Sequence, residues 1–143
     1  YYVDDDAAME EIRQAFVKYV AGLFRLVGDD EAAAQRKAAA VMALETRQAQ
    51  ANYSAVQLRN PEANYHKMTS NALVKAFPGI DWVNFILAEG FPAFSHIDVG
   101  LLEPIHEVEK ILADEPLDDL KAYAEAHAIS SAAAYLDDNF RAA

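Results

Sequence analysis

The alanine-rich stretch EAAAQRKAAAVMALETRQAQANY, residues 31–53, decides the fold class. Alanine has the highest intrinsic helix propensity, and its small side chain allows neighbouring helices to approach closely. Asp29 or Asp30, just before the stretch, is suited to start a helix. Apolar Val41 and Leu44 lie within it. The stretch therefore predicts one long, central, tightly packed helix that ends near its last residue.

The chain on either side of this helix shows further helical periodicity between caps and breakers. The acidic run at Asp4–Asp6 favours a helix N-terminus, and Gly28 is a candidate C-cap for that helix. Thr69 and Asp81 each precede a short apolar segment and are predicted to cap it. Further helices are predicted at 101–113, at 117–127, and from about 130 to the end.

One short run, FSHIDVG at 94–100, has the alternation of a strand, because Ile97 and Val99 are separated by polar neighbours. The whole pattern predicts an all-α fold, an irregular bundle of about six or seven helices with one short strand. A chain of 143 residues is long enough for one core and too short for two comfortable ones. We therefore expect residues 1–143 to form a single domain.

The composition narrows the class of partner. The chain has 12 basic and 23 acidic residues and a net charge of −11, with the basic residues scattered, so nucleic acid is not an expected partner. It has no cysteine, which excludes disulfides and thiolate metal sites. Because it opens at YYVDDD without methionine, we expect it to be part of something longer.

The run IHEVEK at 105–110 comes close to a zinc-binding H-E-x-x-H motif. In that motif two histidines one helical turn apart bind the metal, but here Lys110 stands where the second histidine is required. A protonated ammonium cannot bind a metal. The four histidines of the chain, His66, His96, His106 and His127, show no short metal-ligand spacing. The sequence therefore predicts no metal-binding, cofactor-binding or catalytic residue in this chain.

The middle of the chain, RNPEANYHKMTSNALVKAFPGIDWVNF at 59–85, resembles the neprilysin and endothelin-converting-enzyme family of zinc metallopeptidases. His66 departs from the pattern, because the family commonly has asparagine there. YYVDDD, the VMALETRQAQA run with Glu45, and SSAAAYLDDNFRAA are similar to flanking features of the family. The matching positions in the middle run are Arg59, Asn60, Pro61, Tyr65, Lys67, Met68, Thr69, Phe77, Pro78, Asp81 and Trp82.

The resemblance implies a two-lobed, helical endopeptidase that encloses its active site between the lobes. Residues 1–143 would belong to the N-terminal lid lobe, which restricts access of small peptides to the cavity and is inactive alone. Zinc would be bound in the full-length protein, by an H-E-x-x-H motif and a later glutamate outside this chain. The implied partners are the catalytic lobe of the same chain and small peptides. The implied location is extracytoplasmic, in the periplasm or cell envelope of a bacterium.

Four residues of the resembling run, Arg59, Asn60, Tyr65 and Trp82, are candidates either for the substrate cavity or for a structural motif. Arg59 could bind a substrate carboxylate, but we expect it to anchor the connector through loop carbonyls or a nearby acid such as Glu45.

Large aromatic residues at helical spacing usually fill cores, so core packing is the expected role of Tyr65, Trp82 and Phe77. For Glu45 a structural pairing is expected rather than metal binding.

An alternative from another functional class is a free-standing acidic interaction domain that acts through helix-in-groove contacts. The two hypotheses differ in the sequence that each requires after residue 143. A zinc peptidase needs an H-E-x-x-H motif there, whereas an interaction domain does not.

Overall fold

The computed structural model describes residues 2–142 and confirms a mostly α-helical fold. The elements in chain order are α1 (Ala7–Leu26), α2 (Glu31–Ala51), α3 (Ala55–Leu58), β1 (Lys67–Thr69), α4 (Ser70–Ala76), α5 (Trp82–Ala88), β2 (His96–Asp98), α6 (Leu102–Asp114), α7 (Leu117–Ala132) and α8 (Asp138–Ala142), with a 3₁₀ turn at Ala133–Tyr135.

These elements form two compact units. Unit 1 contains the described residues up to 50 and from 115 onward, and unit 2 contains residues 51–114. Each unit has its own cluster of buried apolar side chains. The assignment of residues 1–143 to one domain of a larger protein stays a prediction.

Side-chain caps set most of the helix starts. Asp6, Asp30, Thr69 and Asp81 each accept a hydrogen bond from the backbone N–H three residues further on. Gly28 follows the C-terminus of α1 with a φ of 110°, a conformation that L-residues with a side chain adopt at a cost. The capping residues predicted from the sequence are thus confirmed.

The structure also corrects the sequence analysis at three places. The predicted break between 127 and 130 is wrong, because α7 continues to Ala132 through a stretch without glycine or proline. The central helix ends at Ala51, and Ser54 then caps the short α3, which the sequence did not predict. The predicted strand β2 pairs antiparallel with β1, with Met68 opposite Ile97. β1 contains one apolar residue, Met68, so it has no alternation of apolar residues that could identify it.

The core of unit 1 confirms the close packing predicted for α2. Small side chains occupy most of the contact, so the backbones of α1, α2 and α7 can approach closely. Its buried members are Val20, Ala21 and Phe24 on α1, Ala34, Ala38 and Val41 on α2, and Ala122 and Ala126 on α7.

The core of unit 2 is smaller and is built on α4. Leu73, Phe77 and Val99 are buried, and partly buried apolar residues from β1, β2, α5 and α6 pack against them. None of the described helices combines the length and apolarity needed to cross a bilayer.

One lysine in unit 1 bridges two acidic residues next to the core. The ammonium of Lys37 donates to Asp29 at 2.6 Å and to Glu125 at 3.0 Å, and it lies 4.8 Å from the centre of the Phe24 ring. The hydrogen bond to Asp29 is the main reason that the pKa of Lys37 is raised, with Glu125 adding to it and burial opposing it. Lys37 therefore ties α2 to the turn after α1 and to α7.

We predict that Lys37→Met lowers the free energy of unfolding of the 143-residue chain by about 1–2 kcal/mol, between the values typical of surface and buried ion pairs. Lys121→Met is the matched control, because Lys121 is exposed and its ion pair among residues 2–142 is with Asp118, at 3.6 Å on the next turn of the same helix. The measurement is urea unfolding followed by far-ultraviolet circular dichroism. Equal unfolding curves for the two variants would contradict the bridging role.

Candidate functional site

The connector, residues 59–66 between α3 and β1, contains most of the residues singled out by the sequence. Its first half is a turn held by two asparagine side chains. Asn60 Oδ1 accepts from the N–H of Ala63 at 3.1 Å, and Asn64 Nδ2 donates to the carbonyl of Gln57 at 2.9 Å. Such side-chain bonds satisfy backbone groups that no helix or strand can pair. Asn60 is thus a structural residue of the connector.

The second half of the connector is fixed to β2 through His66. The backbone N–H of His66 donates to Asp98 Oδ1 at 2.8 Å, and the N–H of Val99 donates to the carbonyl of His66 at 3.2 Å. The ring Nδ1 of His66 lies 2.9 Å from the carbonyl oxygen of Val99, which can only accept, so Nδ1 carries a proton. His66, the departure from the family pattern, therefore supports the loop.

Arg59 and Tyr65 behave differently from these anchors. The Arg59 side chain is exposed and makes no hydrogen bond or ion pair with the described residues of unit 2, so the expected contacts with loop carbonyls are not formed. Tyr65 is 59% exposed, and its predicted core packing is wrong. A residue in an irregular loop has no periodicity that tells an inward from an outward side chain. Both side chains are available to a ligand or to another part of the protein.

Trp82 and Phe77 confirm the prediction of core packing. Phe77 is fully buried, and Trp82, the first residue of α5, packs against the same cluster. The indole ring of Trp82 meets the ring of Phe85 edge-on, with the centroids 6.0 Å apart. Its Nε1–H is buried without an acceptor among the described residues.

Glu45, weighed as a metal ligand, makes the structural pairing that the sequence predicted. It accepts from His127 Nε2 at 2.8 Å, within unit 1. The His127 ring lies against Tyr123, with centroids 4.4 Å apart. Burial raises the pKa of the Tyr123 phenol, the charge on Glu45 raises it further, and a hydrogen bond from Gln48 opposes both. The sequence could not identify His127 as the partner, because 82 residues separate the two.

An open groove of 650 Å³ lies beside α6 in unit 2, and His106 is one of its lining residues. Glu109 accepts from the backbone N–H of Gly79 at 2.8 Å and lies 3.8 Å from His106 Nδ1. The His106 ring packs on the ring of Phe77, and the two ring centroids are 4.5 Å apart. The charged residues that line the groove are Glu103, Glu107, Glu109, Lys110 and Asp114.

The H-E-V-E-K run does not fit a zinc ion. The ammonium of Lys110 lies 3.4 Å from the carboxylate of Glu107, so the residue in place of the second histidine is a cation paired with the glutamate of the run. Within residues 2–142, no group of three or more His, Cys, Asp or Glu side chains could hold a metal ion. That this chain binds no zinc nevertheless stays a prediction.

Comparison with known proteins identifies the class of this helical chain as a peptidase family. The N-terminal model of peptidase family M13 matches residues 1–143, and the chain belongs to this family. This confirms the resemblance noted in the sequence.

The solved structures that are similar to the chain include two of one relative. Both are of the Mycobacterium tuberculosis zinc metalloprotease Zmp1, one in an open state and one in complex with an inhibitor. In each case the identity is 26%, the TM-score is 0.88, and the match covers 99% of this chain. The chain spans 22% of the length of these relatives. A search of curated proteins gives no match.

We predict that Asn60→Ala lowers the free energy of unfolding of unit 2 by about 1 kcal/mol, the usual effect of losing a side-chain cap. Arg59→Ala is the neighbouring control and should leave it nearly unchanged, because the guanidinium has no partner in the described part of that unit. Trp82 is the single tryptophan of the chain and lies in unit 2, so its fluorescence reports this unit directly. If Arg59→Ala lowered the free energy of unfolding as much as Asn60→Ala does, Arg59 would be an anchor of the connector after all.

Proposed function

We propose that the chain is a non-catalytic helical part of a zinc metalloendopeptidase that hydrolyses small peptides, and that it restricts access to the active-site cavity. The observation that carries this proposal is the family match over the whole chain. The likeness to a zinc metalloprotease at 26% identity supports it. The family match also argues against the alternative of a free-standing interaction domain.

The side chains of the described residues fit a supporting role better than a catalytic one. The pair His106–Glu109 lies within unit 2 and the pair His127–Glu45 within unit 1, and each supports the packing of its own unit. Zinc and the general base would be supplied by the catalytic lobe of the same polypeptide, which is the partner that the proposal requires. The isolated chain would therefore be inactive.

The proposed access role requires that the chain keeps its fold, and the chain is equally similar to two structures of the relative. One Zmp1 structure is described as open and the other as an inhibitor complex, and the chain matches both with a TM-score of 0.88. A segment that keeps its fold between such states can form a wall that admits peptides and excludes folded proteins and bulk water. The exposed Arg59 and Tyr65 of the connector are candidates to contact peptides there.

We further propose that the full-length protein is bacterial and works outside the cytoplasm, in the periplasm or cell envelope. The bacterial origin is supported by the mycobacterial relative. Nucleic acid is not a proposed partner, because the net charge of −11 repels phosphates. Fractionation of the native host, with an antibody against this chain, tests the location. Recovery in the cytosolic fraction alone would contradict it.

The access role predicts a limit on substrate length. The full-length enzyme should cleave a short peptide, and its kcat/KM should fall steeply as residues are added on both sides of the same cleavage site. Tyr65→Ala should relax this limit more than it changes turnover of the short peptide. Tyr135→Ala is the matched control, because Tyr135 is 90% exposed and lies outside the connector.

Circular dichroism of both variants checks that they are folded. Cleavage of casein by the wild-type enzyme as readily as of the short peptide would contradict the access role.

A further inference from the structure

Helix α5 has the composition of a buried helix but not its burial. Its sequence, WVNFILA, is apolar on every side except at Asn84, and none of its residues is buried. The side-chain amide of Asn84 donates to Asp81, the cap of the same helix, at 2.6 Å. A helix that is apolar all round is normally covered on all sides. The core of unit 2 covers only the side of Trp82 and Ile86.

Three apolar residues of this region, Phe85, Leu87 and Phe91, are exposed, and we call them together the α5 surface. They are 52%, 42% and 64% exposed, respectively. Phe85 and Leu87 are two positions apart and so lie on different sides of the helix. The run from 82 to 94, WVNFILAEGFPAF, contains a single charged residue, Glu89, in a chain in which 24% of residues are charged. Depletion of charge together with exposed phenylalanine is typical of the centre of a permanent interface.

We propose that the α5 surface docks the remainder of the same polypeptide, which covers the exposed sides of the helix with apolar groups. This rests on the proposed function, because it takes the chain as one part of a larger peptidase. The matched relatives support it, since 99% of this chain aligns with only 22% of theirs. Most of such a polypeptide lies outside the described residues, so it supplies a permanent covering partner.

A peptide substrate and a second copy of the chain fit the α5 surface less well than the remainder of the polypeptide does. A peptide substrate carries backbone N–H and C=O groups that need polar partners, and the one polar side chain of α5 is already bonded to its own cap. A second copy of the chain would have to bury this patch against itself, and the net charge of −11 on each copy opposes that association.

The test is photo-crosslinking in the full-length protein, with p-benzoylphenylalanine at position 85. An equal mixture of isotopically heavy and light protein separates crosslinks within one polypeptide from those between copies. Leu112 is the matched control position, because it is 51% exposed, close to the 52% of Phe85, in the same unit. We expect position 85 to crosslink within one polypeptide to peptides outside residues 1–143, several-fold more than position 112.

Any other pattern at position 85 overturns the proposal: equally low crosslinking at both positions, crosslinks confined to residues 1–143, heavy–light products, or crosslinking to an added peptide. A second measurement is the thermal midpoint of the full-length protein with Phe85→Gln and with Leu112→Gln. We expect a drop for Phe85→Gln only, and equal midpoints overturn the proposal. Neither measurement depends on peptidase activity. A failure of the substrate-length test would therefore leave the docking proposal for the α5 surface unaffected.

Discussion

Close packing of small side chains in unit 1 is the constraint on which the long helices depend. Ala34 and Ala38 on α2 and Ala122 and Ala126 on α7 lie in one buried cluster with Phe24. An alanine buries little area, so its contribution comes from many short contacts that form only when the helix backbones are close. A larger residue at any of these positions would separate the helices. This explains why residues 31–53 are so rich in alanine.

Local signals in the sequence were sufficient for several helix starts and for the core aromatics Phe77 and Trp82, because caps and periodicity act within a few residues. Asp81 and Phe77 are examples. Partners distant in sequence could not be read in the same way. His127 pairs with Glu45 across 82 residues, and β1 is recognisable as a strand only through its register with β2. The sequence also could not show that Asn60, and not its neighbour Arg59, holds the connector.

The division of roles among the polar and apolar residues of unit 2 fits a supporting lobe. Its histidine–glutamate pair at His106 and Glu109 lies against the turn at Gly79, where it supports the backbone. Groups of another kind are exposed, among them the guanidinium of Arg59, the phenol of Tyr65 and the apolar α5 surface. Such groups recognise another molecule or another part of the chain by charge, shape and burial, without forming or breaking a covalent bond.

We predict that residues 1–143 contribute no ligand to the zinc that we propose for the full-length protein. The most direct test is the zinc content of the full-length protein with His66, His96, His106 and His127 each replaced singly by glutamine. We expect stoichiometric zinc and short-peptide turnover in every folded variant. Loss of both zinc and turnover in any one variant with a wild-type circular dichroism spectrum would contradict it.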